Sequence, residues 1–121
     1  MKPVEVRFDE SAYKEYLKLQ KNVSQNKKSK KLPTYEQLLS SINNTINNLK
    51  LNPYLGDLVP RKYLTKKVIA KYGTDKIFRV NLVGYWRLLY TIIGDETKII
   101  AFVLEYASHD DYNKLFNYKK K

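Results

Sequence analysis

The chain contains no cysteine and a single histidine, His109. Without cysteine it has no disulfide, no thiolate metal site and no thiol nucleophile, and one imidazole cannot build a histidine-rich metal centre. Glycine and proline are also scarce, four of each in 121 residues, which argues against a low-complexity or disordered chain. No apolar run approaches the ~20 residues that span a bilayer, and the opening Met1-Lys2-Pro3-Val4-Glu5 alternates where a secretory leader would carry an apolar block. The expectation is a soluble cytoplasmic protein in a reducing compartment, with no metal, no cofactor and no membrane partner. A chain of this length is expected to form one domain over residues 1–121 around one core.

Positive charge is abundant. There are 23 Lys and Arg against 12 Asp and Glu, a net charge of +11 and a sequence pI near 9.7. Residues 76–121 hold eight basic and five acidic residues, net +3, which leaves +8 for residues 1–75. Lys18, Lys21, Lys27, Lys28, Lys30 and Lys31 form one cluster, and Arg61, Lys62, Lys66, Lys67 and Lys71 a second. Residues 118–121, with Lys119, Lys120 and Lys121, read as a flexible basic tail. Such a surface suits a nucleic acid or an acidic protein partner; the bland alternative is a lysine-rich coat that keeps a small domain soluble.

The strongest pattern is a run of three segments, 76–82, 85–93 and 98–106, rich in β-branched and aromatic residues and separated by short turns with Gly84 and Gly94. They predict a three-stranded antiparallel meander. In the first, Phe78, Val80 and Leu82 share one face and Ile77, Arg79 and Asn81 the other. In the second, Trp86, Leu88, Tyr90 and Ile92 oppose Tyr85, Arg87, Leu89 and Thr91. Arg79 and Arg87 thus stand on otherwise apolar strands, where charge is costly unless paired or set in a cleft. Glu105 is one acidic residue they could pair with, and also a conceivable proton acceptor.

Before the meander, residues 4–8 alternate as a short strand able to join the same sheet. Asp9 or Ser11 suits a helix N-cap. Ala12, Tyr16, Leu19 and Val23, widened by Tyr13 and Leu17, predict an amphipathic helix over 10–22. Thr34 with Gln37 resembles a capping box opening a second helix, whose buried stripe is Leu38, Ile42, Ile46 and Leu49 and which Asn52-Pro53 ends. Residues 54–75 read as a loop with one helical turn near 58–64, and 108–116 as a turn of helix. The fold class is therefore α+β: a strand, a two-helix hairpin and a meander, forming one four-stranded sheet covered by the helices.

These elements, with Ile77-Phe78-Arg79-Val80-Asn81-Leu82, Gly84-Tyr85-Trp86-Arg87-Leu88-Leu89-Tyr90, Ile99-Ile100-Ala101-Phe102-Val103-Leu104, and His109-Asp110-Asp111-Tyr112 with Phe116 and Tyr118, resemble the RelE/ParE toxin superfamily of type II toxin–antitoxin systems. The resemblance spans nearly the whole chain and looks closest to the RelE-like, ribosome-dependent mRNA interferases. It implies a RelE-like fold and an endoribonuclease that cuts mRNA in the ribosomal A site, with mRNA, the ribosome and an acidic antitoxin as partners. It places Arg79 and Arg87 at basic positions of neighbouring strands, and His109 and Tyr112 at the late Arg/His and Tyr/Phe positions. Asn81 stands where some members carry a lysine. No residue matches the glutamate that some members carry in the loop before the second strand, the one that bears Arg79 here, so the general base stays unassigned.

The residue chemistry is compatible with that reading. Metal-free RNA cleavage activates a 2′-OH, stabilises charge on a phosphorane-like transition state and protonates the leaving 5′-oxygen. Histidine is the residue type suited to proton transfer near neutral pH, which makes His109 the first candidate, Arg79 and Arg87 offer planar forks to phosphate oxygens, and Tyr112 can donate a hydrogen bond or stack on a base. The candidate catalytic set is Arg79, Arg87, His109 and Tyr112; the candidate RNA-binding set is Lys27, Lys28, Lys30, Lys31, Lys76, Asn81 and Tyr85. Trp86 and Tyr90 read as core. Two other functions stay open: a ParE-like protein that targets gyrase, and a degenerate member that binds RNA or a partner without cutting.

Overall fold

The structure, a computed structural model, describes residues 2–116; Met1 and the expected basic tail with Tyr118 lie outside the described residues. Strand β1 (Val4–Phe8) leads into helix α1 (Glu10–Ser24), capped by Asp9, whose carboxylate accepts from the Ser11 N–H. Helix α2 (Tyr35–Leu51) opens with the full capping box: the Gln37 N–H donates to Thr34 Oγ1 at 3.1 Å and the Thr34 N–H to Gln37 Oε1 at 2.9 Å. It stops where Asn52 turns extended ahead of Pro53, as a residue before proline must. Ala12 and Leu19 of α1 and Leu38, Ile42 and Leu49 of α2 are buried against one face of a sheet. The apolar stripe of α1 is narrower than its sequence suggests, because Tyr13 and Leu17 remain 48% and 44% exposed.

The sheet has five strands where the sequence predicts four. Its order is β1-β5-β4-β3-β2, built from β1, β2 (Asp57–Leu58), β3 (Phe78–Asn81), β4 (Arg87–Gly94) and β5 (Ile99–Ala107). The expected meander is present, and β1 joins it parallel to β5, Val4 opposite Ile99 and Phe8 opposite Val103. The extra strand is a two-residue edge piece pairing Asp57 with Arg79 and Leu58 with Phe78.

Residues 54–75 also hold more than the expected loop. Besides β2 and a 3-10 turn over Arg61–Tyr63, they form helix α3 (Lys66–Tyr72), with the Thr65 hydroxyl accepting from the Val68 N–H and Gly73 at φ +69° closing the end. Seven residues give too few apolar positions for a periodicity. Helix α4 (His109–Leu115) begins at Ser108. Together α3 and α4 cover the second sheet face, so the sheet is enclosed on both sides: Val59, Val68, Ile77, Leu89, Leu104, Tyr112 and Phe116 form a second core.

Opposite Leu89 and Tyr90, β5 carries a bulge: Tyr90 pairs with Val103 and Leu89 with Glu105, leaving Leu104 as the extra residue. A bulge resets the alternation of its strand. Glu105 thereby lands on the α3 side, with Leu89, instead of joining Ala101 and Val103 beneath α1 and α2.

Candidate functional site

Three segments converge at one end of the sheet: the α1–α2 loop, the β3–β4 turn and the start of α4. Ser41 Oγ of α2 accepts from the Val83 N–H at 3.0 Å, which ties the β3–β4 turn to the helical layer. Gly84 has φ +65°, and a Cβ built on it would lie 2.7 Å from Pro33 Cδ, so the end of the lysine loop packs directly on this turn. The next residue, Tyr85, also adopts a positive φ, +64°, unusual for a side chain of its size. This conformation holds its ring 74% exposed and 6.2 Å from the His109 ring. Backbone strain of this kind concentrates at functional surfaces.

Arg79 and Arg87 occupy the sheet face that α4 covers. Since Asn81 pairs with Arg87 and Arg79 with Leu89, the two arginines are diagonal neighbours on adjacent strands. Tyr112 of α4 lies against both. Arg79 Nη1 donates to the Tyr112 hydroxyl at 2.7 Å, and Arg87 Cζ is 5.7 Å from the centre of the Tyr112 ring, within cation–π range. Arg87 Nη1 also donates to the carbonyls of Tyr85 and Trp86, at 3.0 and 3.3 Å. Both guanidiniums are half-buried, whereas Tyr112 is 2% exposed and packs on Phe116 with ring centres 4.9 Å apart.

His109 is exposed at the first position of α4, with Nε2 3.1 Å from the Asn113 side-chain amide. Lys28, Lys30 and Lys31 line an open groove of about 1330 Å³ that Tyr85 and His109 also line. Asn81 is exposed at the end of β3, opposite Arg87. Lys27 and Lys76 are exposed but stand outside this grouping. Lys76 precedes β3 at its far end, where its carbonyl accepts from Thr91 Oγ1 at 2.6 Å. Trp86 and Tyr90 pack in the first core, as the alternation predicts.

Glu105 does not pair with the arginines as one sequence reading allowed. The Tyr72 hydroxyl donates to Glu105 Oε2, and Lys71 Nζ lies 3.6 Å from the same oxygen. Burial, reinforced by that hydrogen bond and the carboxylate charge, pushes the Tyr72 phenol far above its ordinary value. Tyr72 escaped the sequence reading because α3 did; the only cues were Thr65 as a cap and Gly73 as a stop. Among the described residues no group of three His, Cys, Asp or Glu side chains is placed to hold a metal ion, and no helix is long and apolar enough to cross a membrane.

No protein-family model matches this chain, and no curated protein matches it. Among solved structures it is similar to the YoeB/ParE toxin from Agrobacterium tumefaciens, with a TM-score of 0.54 and 17% identity over 87% of this chain and 98% of that one. The likeness supports the resemblance already read from the residues, and it shows that this chain has the RelE/ParE toxin fold.

Proposed function

We propose that this protein is the toxin of a type II toxin–antitoxin pair and acts as a metal-independent endoribonuclease on mRNA in the ribosomal A site. The observation that carries the reading is the grouping of Arg79, Arg87 and Tyr112 beside the Tyr85–His109 rim. The fold of the YoeB/ParE toxin supports the toxin class, and the +11 charge supports a polyanionic substrate and an acidic antitoxin.

In this reading the RNA 2′-hydroxyl gives up its proton to solvent and its oxygen bonds to the adjacent phosphorus while the bond from phosphorus to the 5′-oxygen breaks. The products are a 2′,3′-cyclic phosphate and a free 5′-hydroxyl. Arg87 and Arg79 bind the non-bridging oxygens, where charge accumulates in the transition state. His109, exposed and next to the turn that carries Arg87, delivers the proton to the leaving oxygen. Tyr85 presents a solvent-exposed ring on which a base can stack. Tyr112, buried between the arginines, orients both guanidiniums and so acts as a positioning residue. Lys28, Lys30 and Lys31 hold the strand across the groove and Asn81 extends that surface, while Lys27 and Lys76, outside the grouping, add only general attraction for phosphates.

The test is brief expression followed by primer-extension mapping of cellular messages, beside a gyrase supercoiling assay and co-expression of a neighbouring acidic open reading frame. Codon-phased cleavage that disappears in Arg87→Ala supports the reading. Intact messages with blocked supercoiling would replace it by a ParE-like one, and a harmless protein with no retained partner would leave only RNA or partner binding.

A further inference from the structure

The groove that Tyr85, His109 and the lysine loop share continues past the site along β5. Strand β1 ends at Phe8, opposite Val103, so among the described residues no strand lies beside residues 104–107 of β5 on that side. Here the groove is lined by Trp86 and Tyr106, whose rings are 6.1 Å apart, and by Glu105. A carboxylate on the wall of the groove repels the phosphates of any strand bound there, and nothing in the proposed chemistry uses it.

Glu105 is nevertheless held in place with care. The bulge after Val103 turns it to the α3 side, and Tyr72 and Lys71 both engage Oε2. Among the described residues Oε1 has no such partner, and the side chain keeps 36% of its surface accessible. The Tyr72 hydroxyl and Lys71 both engage Oε2 as donors, which leaves Oε1 as the oxygen able to accept from a ligand. The other carboxylates of the groove have different settings: Asp9 caps α1, Asp110 and Asp111 are exposed in the first turn of α4, and Glu15 is exposed on α1.

An acceptor held by two donors on the α3 side of the groove fits a nucleobase amine. Cytosine N4 is the amine that carboxylates take on a pyrimidine edge, whereas uracil presents a carbonyl oxygen at the same place, which a carboxylate repels. Resting on the RNA reading above, we infer that Glu105, fixed by Tyr72 and Lys71, is a specificity-determining residue that selects an amine-bearing base over uracil next to the cleavage site. The two pyrimidines have the same ring size and similar stacking, so the carboxylate is what separates them.

The experiment measures fluorescence anisotropy of labelled 2′-O-methyl oligocytidylate and oligouridylate of about ten nucleotides, a length typical of single-strand sites, with the full chain at fixed salt. The 2′-O-methyl group removes the nucleophile, so binding is read without cleavage. The native protein is expected to bind the cytidylate at least about threefold more tightly, a modest part of what a good base contact gives. Glu105→Gln, which restores an amide donor that uracil O4 can accept, brings the ratio to one or below. Tyr72→Phe, which frees the carboxylate, lowers the ratio while both oligonucleotides still bind. Circular dichroism establishes that each variant is folded. Tight but equal binding of both oligonucleotides by the native protein, or an unchanged ratio in Glu105→Gln, overturns the base-reading role and leaves the RNA reading standing. Failure to bind either oligonucleotide overturns both.

Discussion

Tyr112 is the buried keystone of the arginine pair: Arg79 donates to its hydroxyl at 2.7 Å, and the ring that carries this hydroxyl also supports Arg87. Core packing and arginine orientation are therefore functions of one side chain, and substitutions at 112 separate them. Tyr112→Phe keeps the ring and its contact with Phe116 but removes the acceptor of Arg79. It is expected to cost about 1 kcal/mol of stability, as a single hydrogen bond does, and to lower cleavage at saturating substrate. Tyr112→Ala empties the second core and costs about 3–5 kcal/mol. Thermal unfolding and single-turnover cleavage check both; a Phe variant that cuts at the native rate would remove Tyr112 from the site.

Arg87→Ala is expected to leave the chain folded, because the side chain's protein partners are two carbonyls at the sheet margin and one ring face. Cleavage should fall about 10²-fold or more, the loss seen on removing one preorganised donor from a developing anion. His109→Ala should lower the rate of the chemical step more than ribosome binding. Native-rate cutting by both variants in a reconstituted translation assay would refute the site.

Neutralising Lys27, Lys28, Lys30 and Lys31 to Gln should weaken RNA binding and flatten its salt dependence. On single strands the slope of log K against log salt is expected to drop by about 0.7 for each lysine that contacts a phosphate. Rates at saturating RNA should hold. A slope that does not change places the phosphate contacts elsewhere.

Gly84→Ala tests the coupling of that loop to the site. The new Cβ would lie 2.7 Å from Pro33 Cδ and would have to accept φ +65°. A cost of about 1–2 kcal/mol follows from the backbone alone. The loop must also lift from the turn, so RNA affinity should decrease together with stability. Loss of stability with native affinity would mean that the loop binds independently of the turn.

Tyr72 predicts the alkaline limit of stability. Its folded value is raised above the free phenol's 10.0, chiefly by burial, so below pH 10 both folded and unfolded chains keep the proton and this contribution to stability is intact. Above it the unfolded chain ionises first, and stability falls as pH rises. Solvent reaching the ring keeps the slope below the full ~1.4 kcal/mol per pH unit of one proton. Tyr106 shifts in the same direction, mainly through burial and then the Glu15 charge. Denaturation midpoints above pH 10 should decline less steeply in Tyr72→Phe than in the native chain; parallel declines would assign the alkaline loss to other groups.

Most of the architecture was legible because it rests on local rules. Thr34 and Gln37 announce a capping box that forms as written, and the alternation of Phe78, Val80 and Leu88 against Arg79, Arg87 and Leu89 fixes which face each arginine takes. The strand ends shifted by one or two residues, since Tyr85 belongs to a 3-10 turn over Val83–Tyr85, capped by Trp86, at which Gly84 meets Pro33. Three features could not be read along the chain. Helix α3 is too short to carry a period. The β5 bulge is a register event between strands, and it decides the surroundings of Glu105. Burial of Tyr112 depends on where α4 docks.

The parallel pairing of β1 with β5 has a consequence for how the molecule is made. Val4 meets Ile99, 95 positions further on, while β3, β4 and β5 pair with near neighbours. Contacts at short separation form before those that must close a long loop. During synthesis β1 therefore waits for β5, and α4 with His109 and Tyr112 follows β5 directly. Sheet completion and assembly of the arginine–tyrosine group therefore fall at the same moment, when β5 and α4 have emerged.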